Sequence, residues 1–211
     1  LGGSSAINAM LYVRGQQADY DGWAQRGNTG WSYADVLPYF RRAEHCEFAS
    51  EDDAFHGRGG PLNVSGLRNG YPALDLLIKA AESCGYPHNP DYNGASQDGF
   101  GTYQVTQKNG MRFSAKKAYL DAARRRPNLR VITHAHVTGI NLQGEGSTRT
   151  RARGVAFHRH CRHETVSAGR EVILSAGAIQ SPQLLELSGI GDPDLLAQHG
   201  IATRHALAGV G

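Results

Sequence analysis

Within one six-residue stretch stand His158, His160, Cys161 and His163, which are metal ligands by type. On an extended strand, an HxHCxH spacing sends His158 and His160 to one face and Cys161 and His163 to the other. Four such groups cannot converge on one ion, so the stretch reads as a solvated hairpin tip and no metal is assigned. Two other segments could grip a ligand through backbone. Leu1 to Leu11, LGGSSAINAML, begins with Gly2 and Gly3, which permit close approach of main chain to a bound group. Ser4 and Ser5 are suited to cap a following helix, whose free N–H groups would face an anion or a carbonyl. The plainer reading is a loop-to-helix turn. Val172 to Pro182 joins an aliphatic run to small residues and then to a helix start. Ligands of open α/β sheets collect at such strand ends, where Ala176, Gly177 and Ala178 would let a flat or phosphorylated group lie on backbone. A structural βα turn is the alternative. Hydrolytic chemistry finds no support: Ser65, Ser83 and Ser114 lack a GxSxG elbow, and Asp19 and Asp21 are spaced to diverge on a helix.

Periodicity supplies the elements that position these groups. Ala18 to Gln25 reads as a short helix closed by Gly27. Ser32, with Asp35 three residues on, opens a second helix in which Pro38 predicts a kink or a break. His56 to Leu62 is turn-rich and leads into a strand, Leu62 to Val64. Pro72 to Cys84 is a helix with Leu74, Leu77, Ile78 and Ala81 on one face. Pro87 to Gly101 is a long loop and Tyr103 to Gln107 alternates like a strand. Ser114 is placed to cap a helix over Ala115 to Arg125. Period two then takes over: Leu129 to Thr133, Val137 to Leu142, Ala152 to Arg159, Glu164 to Ala168 and Glu171 to Ser175 read as strands. Turns fall at Gln143 to Arg151 and Arg159 to His163. Gln180 to Leu187 and Pro193 to His199 are helices, and Ile201 to His205 is a last strand. The order implies a mixed α/β fold.

Composition sets the outer limits. The 211 residues are 40% hydrophobic and 19% charged, with a formal net charge of +3, which is ordinary for a globular protein. The basic residues are scattered apart from Arg124 to Arg126 and the set at Arg149, Arg151 and Arg153, which argues against nucleic-acid binding. Three distant cysteines with no CxxC fit a reducing compartment, and no apolar run is long enough to span a membrane. A cytoplasmic location is expected, with membrane association left open. The chain opens inside a glycine-rich loop and stops at Gly209-Val210-Gly211, and is read as a segment of a longer protein.

Two stretches carry a resemblance that spans the chain. Leu1 to Met10, followed by Leu-Tyr-Val-Arg-Gly15 and Asp19-Tyr-Asp-Gly-Trp23, resembles the first signature of the glucose–methanol–choline (GMC) oxidoreductases. Gly177 to Gly191, GAIQSPQLLELSGIG, resembles the second. Gly30 to Phe40, His56 to Leu62 and Gly110 to Ser114 are similar to landmarks between them, in the family's order.

The resemblance implies an incomplete FAD/NAD(P)-binding Rossmann-like domain with part of an antiparallel-sheet substrate domain. It divides the chain into FAD-domain residues 1–60, substrate-domain residues 61–108 and FAD-domain residues 109–211. It further implies oxidation of a primary alcohol, choline-like or aliphatic, to the aldehyde, with hydride passing to FAD. Carried over by position, Gly2, Gly3, Ser4, Asn8, Ala9, Met10 and Leu11 lie along the flavin. Val137 meets the adenine, and Ala176 and Gly177 line the cofactor channel. Tyr103 and Gln104 face the substrate. Some family members tether FAD to a His of the first signature. The matching residue here is Ile7, so FAD is expected to be non-covalent. The family's GxGxxG fingerprint and its catalytic His have no counterpart in these 211 residues, so no catalytic residue is assigned. The electron acceptor is left open. The rival readings are a nucleotide-binding module without redox chemistry and an inactive partial gene product.

Overall fold

The computed structural model describes residues 1–144 and 150–211; the expected turn over Gln143 to Arg151 and the basic residue Arg149 fall on or across 145–149, outside the described residues. The chain is a mixture of helix and strand, as expected, and divides into two compact units, Leu1–Leu129 and Arg130–Gly211.

In the first unit, a 3-10 turn over Gly3–Ala6 leads through an extended stretch to α1 (Gln17–Gln25). The Gln16 N–H donates to the Asp19 carboxylate at 2.8 Å at its start, and Gly27, at φ 96°, follows its end. α2 (Tyr33–Ala43) opens on the expected Ser32–Asp35 pair, with the Asp35 N–H donating to Ser32 Oγ at 3.3 Å and the Ser32 N–H to Asp35 Oδ2 at 3.2 Å. It runs through Pro38 without the expected break. Proline removes one intrahelical N–H, but the cap and an aromatic cluster hold the helix on both sides. Tyr20 sits edge-on to Trp23 at 5.4 Å and to Phe40 at 5.7 Å, which locks α1 against α2.

β1 (Glu44–Cys46) pairs parallel with β2 (Leu62–Val64). The stretch between them passes close to α2 and β1 at two glycines, where a side chain cannot fit. A Cβ on Gly57 would lie 1.8 Å from the Arg41 carbonyl oxygen, and one on Gly60 would lie 2.4 Å from the Ala43 carbonyl carbon. α3 (Pro72–Ser83) buries Ala81 and half-buries Leu74 and Ile78, whereas Leu77 is exposed. The strand expected over Tyr103 to Gln107 contracts to a bridge at Val105, which pairs with Leu11 on one side and Ser65 on the other, followed by the hairpin β3 (Gln107–Lys108) and β4 (Met111–Arg112). The helix expected over Ala115 to Arg125 is a π turn, Lys116–Leu120, running into α4 (Asp121–Ala123). Ser114 contributes its carbonyl to the Ala118 N–H at 2.9 Å, not a side-chain cap; Ser5 Oγ takes the Ala115 N–H instead, at 2.9 Å.

The second unit is built on the antiparallel sheet β5 (His136–Gln143), β6 (Arg151–Arg159) and β7 (Arg162–Ser167). Leu129 to Thr133 and Glu171 to Ser175, expected as strands, form no ladder with any described segment. Aliphatic composition favours a strand, but the strand exists only where a neighbour offers hydrogen-bond partners. α5 (Gln180–Leu187) packs on β5, and Ser188 fastens the two. Its hydroxyl accepts from the Ile140 N–H at 2.8 Å and donates to the Leu184 carbonyl at 2.6 Å. β8 (Ile190–Gly191), α6 (Pro193–Gln198) and β9 (His205–Ala206) close the unit, so the strand expected over Ile201 to His205 is only its last residue and the next. Asp192 caps α6 through the N–H groups of Asp194 and Leu195.

Candidate functional site

The opening segment of the first unit is shaped by backbone that ordinary residues avoid. Gly2 and Gly3 have φ of 111° and 56°, and Met10 has φ 65°. Ser4 and Ser5 do not cap a helix; they lie inside the 3-10 turn, where the Ser4 carbonyl accepts from the Ile7 and Asn8 N–H groups at 3.0 and 2.8 Å. A Cβ on Gly2 would lie 3.4 Å from Lys116 Cβ, so this glycine faces protein. One on Gly3 would meet nothing within 4 Å, so that glycine presents bare backbone to open space.

Long-range bonds set the curve of this segment. Arg112 Nη1 donates to the Ser5 carbonyl at 3.1 Å and to Asn8 Oδ1 at 2.9 Å. Asn8 Oδ1 also takes the Met10 N–H at 3.1 Å. The Met10 carbonyl accepts from the Thr106 N–H at 2.8 Å, and the Tyr12 N–H donates to the Gln104 carbonyl at 2.9 Å. Asn8 is therefore partly committed to holding the loop. Ser4, Asn8, Ala9 and Leu11 are exposed, and Gly2 and Met10 half-buried.

Behind the segment lies a buried polar cluster that sequence reasoning missed. Glu44, wholly buried, receives Arg14 Nη2 on one oxygen and His56 Nδ1 on the other, the latter at 2.8 Å. His56 Nε2 lies 2.9 Å from Asp91 Oδ2, and Gln104 Nε2 donates to Asp91 Oδ1 at 2.6 Å. Asn93 joins the set to the chain. Its Oδ1 takes the Arg14 N–H at 2.7 Å, and its Nδ2 donates to the Tyr12 carbonyl at 2.8 Å and to Gln104 Oε1 at 2.7 Å. Gln104 is thus a buried framework residue and not a substrate contact, because its amide is consumed on both sides. Tyr103 stacks on Tyr92 at 4.9 Å.

The charges of this cluster are set by one another. Burial alone would lower the His56 pKa, but its bonds to Asp91, to Cys46 and to Glu44, with the Glu44 charge, raise it to about 12. Burial would raise Asp91, and the His56 bond with the Asn93 N–H pulls its carboxyl below 3.8. Glu44, Cys46 and His56 offer ligand atoms within 4.8 Å of one another. However, both His56 ring nitrogens are already engaged by carboxylates, Glu44 and Asp91, so the set is a hydrogen-bonded ion-pair cluster and no metal is assigned to it. The only sequence hints were the turn at His56 and the carboxylate Glu44; their partners lie dozens of residues away.

In the second unit, the strand-end corner is present without its strand. Gly177 has φ 99°, and a Cβ there would meet nothing within 4 Å. Ser181 fastens the corner: its Oγ accepts the Ala176 N–H at 3.0 Å and its own N–H donates to the Gly177 carbonyl at 3.0 Å. Val137 and Ala176 line one cavity of ≈ 650 Å³, together with Ile140, Val155, Val172 and Leu184. The volume lies within the range of small-molecule and cofactor sites. Of the residues singled out in this unit, the structure brings Val137 and Ala176 to one wall.

Both features sit in a chain with close relatives. Residues 1–204 match the GMC oxidoreductase family. The chain is 46% identical over its whole length to an oxygen-dependent choline dehydrogenase of Staphylococcus saprophyticus and 44% identical to oxygen-dependent choline dehydrogenase 1 of Chromohalobacter salexigens, covering 37% of each. It superimposes on an FAD-dependent oxidoreductase from Chaetomium thermophilum with a TM-score of 0.89 at 32% identity, over 99% of this chain and 37% of the other. The pyridoxine 4-oxidase from Mesorbium loti gives 0.86 at 30% identity, over 96% of this chain and 39% of the other. The chain thus spans a little over a third of the length of the curated relatives it matches. With the glycine-edged opening segment, the Ser181-fastened corner and a match that runs from the first residue to residue 204, the chain belongs to the GMC oxidoreductase family.

Proposed function

We propose that this chain supplies part of the FAD site of an enzyme that oxidises a primary alcohol, choline or an aliphatic relative, to the aldehyde. The observation that carries the reading is bare backbone at Gly3 and Gly177, in segments that side chains hold in place: Arg112 on the Ser5 carbonyl and Ser181 on the Ala176 N–H. That is the surface a flat, phosphorylated cofactor needs. Gly2, Gly3, Ser4, Asn8, Ala9, Met10 and Leu11 would hold the flavin portion. Val137 would meet the adenine, and Ala176 and Gly177 would line the cofactor channel. When bound, FAD supplies the hydride acceptor for the oxidation. The residues of this chain do no proton transfer: they orient the cofactor and exclude water from it. The domain division at 1–60, 61–108 and 109–211 is part of the same proposal.

Ile7 stands where a tethering His would be needed and is 85% exposed. A saturated hydrocarbon side chain has no nucleophilic atom to bond the flavin, so FAD is held non-covalently. Precipitation with acid should release all the yellow colour to the supernatant; flavin that stays with the pellet would overturn this point. Molecular oxygen is the electron acceptor to test first, since the choline dehydrogenase relatives are named for it. No described helix is long and apolar enough to cross a membrane. The decisive test of the activity is the visible spectrum of the full-length gene product under anaerobic conditions. Loss of the flavin absorbance on adding choline or a primary alcohol supports the reading, and an unchanged spectrum with every alcohol tried defeats it.

A further inference from the structure

The histidines set aside in the sequence are rearranged by the fold. The turn between β6 and β7 has only two residues, His160 and Cys161, with φ of 46° and 60°. Two central residues at positive φ make a type I′ turn, usually built from Asn-Gly. Holding non-glycine residues there costs on the order of 1–3 kcal/mol each. The tight turn fixes the register: Arg159 pairs with Arg162, and His158 then faces His163. Alternation between pairs makes His158–His163 the non-hydrogen-bonded kind, in which side chains stand closest. Their ring centroids are 3.6 Å apart, at 55° to one another. His136 is the cross-strand partner of His158 on its other side, so three histidines form one row across the sheet. Strand alternation turns this row away from Val155 and Phe157. His163 is exposed and His158 half-buried.

We propose that His158 and His163 form a chelating pair for a divalent first-row transition ion such as Ni(II), Cu(II) or Zn(II). Neutral imidazole is a good ligand for all three, and the cross-strand pairing puts both rings side by side on one face of the sheet, where a small rotation about their side-chain bonds lets one ion reach both. Cross-strand placement on a rigid ladder prepays the ordering of both ligands. His136 lines the cavity of Val137 and Ala176, but the two proposed ligands, His158 and His163, are not among its lining residues.

Calorimetric titration of the full, tag-free chain with Ni(II) at neutral pH tests the pair. One ion should bind, and His158→Ala or His163→Ala should each weaken it at least tenfold, since losing only an outer-shell partner at a metal site already costs roughly 10–100-fold. Cys46→Ser should leave it unchanged. Binding that survives both histidine substitutions, or that disappears with Cys46→Ser, would move the ion to the buried Glu44–Cys46–His56 cluster and overturn the proposal, as would no binding by the folded wild-type chain. Should a variant fold poorly, the wild type still decides the matter: paramagnetic Ni(II) must broaden the ring signals of His158 and His163 before those of His45 and His88.

Discussion

The first unit holds its opening segment from a distance, and the second holds its Ala176 corner by neighbours in sequence. Residues 1–12 keep their path because Arg112, Thr106 and Gln104 reach across roughly a hundred positions, backed by the Arg14–Glu44–His56–Asp91 cluster. The corner at Ala176 and Gly177 is kept by Ser181, five residues on, over a sheet whose strands follow one another directly. One unit therefore stakes its shape on buried charge, and the other on ladders and aliphatic contact. The first should fail sharply when a single partner is removed; the second should lose stability in small steps.

The largest effect is expected at Glu44. Glu44→Leu leaves Arg14 and His56 as buried charges with one carboxylate between them, at a cost of about 3–5 kcal/mol. Both tryptophans, Trp23 and Trp31, lie in the first unit, so urea unfolding followed by tryptophan fluorescence reads this unit alone. Gly57→Ala comes next. Its Cβ would overlap the Arg41 carbonyl at 1.8 Å, and the clash of backbone with backbone should cost at least about 1–3 kcal/mol by the same measurement.

A pH series sharpens the contrast further. His56 holds its proton far more tightly folded than unfolded, with its pKa raised to about 12. Its contribution is complete below about pH 6.5 and is lost as pH rises from there toward 12. First-unit stability should fall between about pH 7 and 10, by at most about 1.4 kcal/mol per unit, and His56→Gln should flatten the slope. Asp91 works the other way: its lowered pKa stabilises above 3.8 and that gain fades as pH falls through its folded value. The smallest effect belongs to the second unit. Ser188→Ala removes one acceptor and one donor between β5 and α5 and should cost about 1 kcal/mol, seen as roughly fivefold faster exchange of the Ile140 amide with tryptophan fluorescence unmoved.

The same contrast governs what could be read from sequence. Features decided by adjacent residues were legible: α2 behind Ser32 and Asp35, β2 at Leu62–Val64, α5 at Gln180–Leu187, and the strand pattern of β5 and β6. Features decided at long range were not. Glu44 gives no sign in sequence that Arg14, 30 positions earlier, and His56, 12 later, will close on it. Gln104 looks like an outward polar residue until Asp91 and Asn93 claim its amide. Leu129 to Thr133 and Glu171 to Ser175 have strand composition, but composition cannot supply the partner strand. The faces of His158 and His163 were misjudged because alternation was counted straight through a two-residue turn that reverses the chain.

The proposed function requires that this chain contribute to binding FAD. The measurement that tests it most directly is the flavin-to-protein ratio of the purified full-length gene product for wild type, Gly3→Ala and Ala176→Leu, each checked for intact folding by tryptophan fluorescence and circular dichroism. Both substitutions should lower flavin content severalfold while the fold persists. Full flavin occupancy in both folded variants, or a wild-type protein that carries no flavin, would contradict the account.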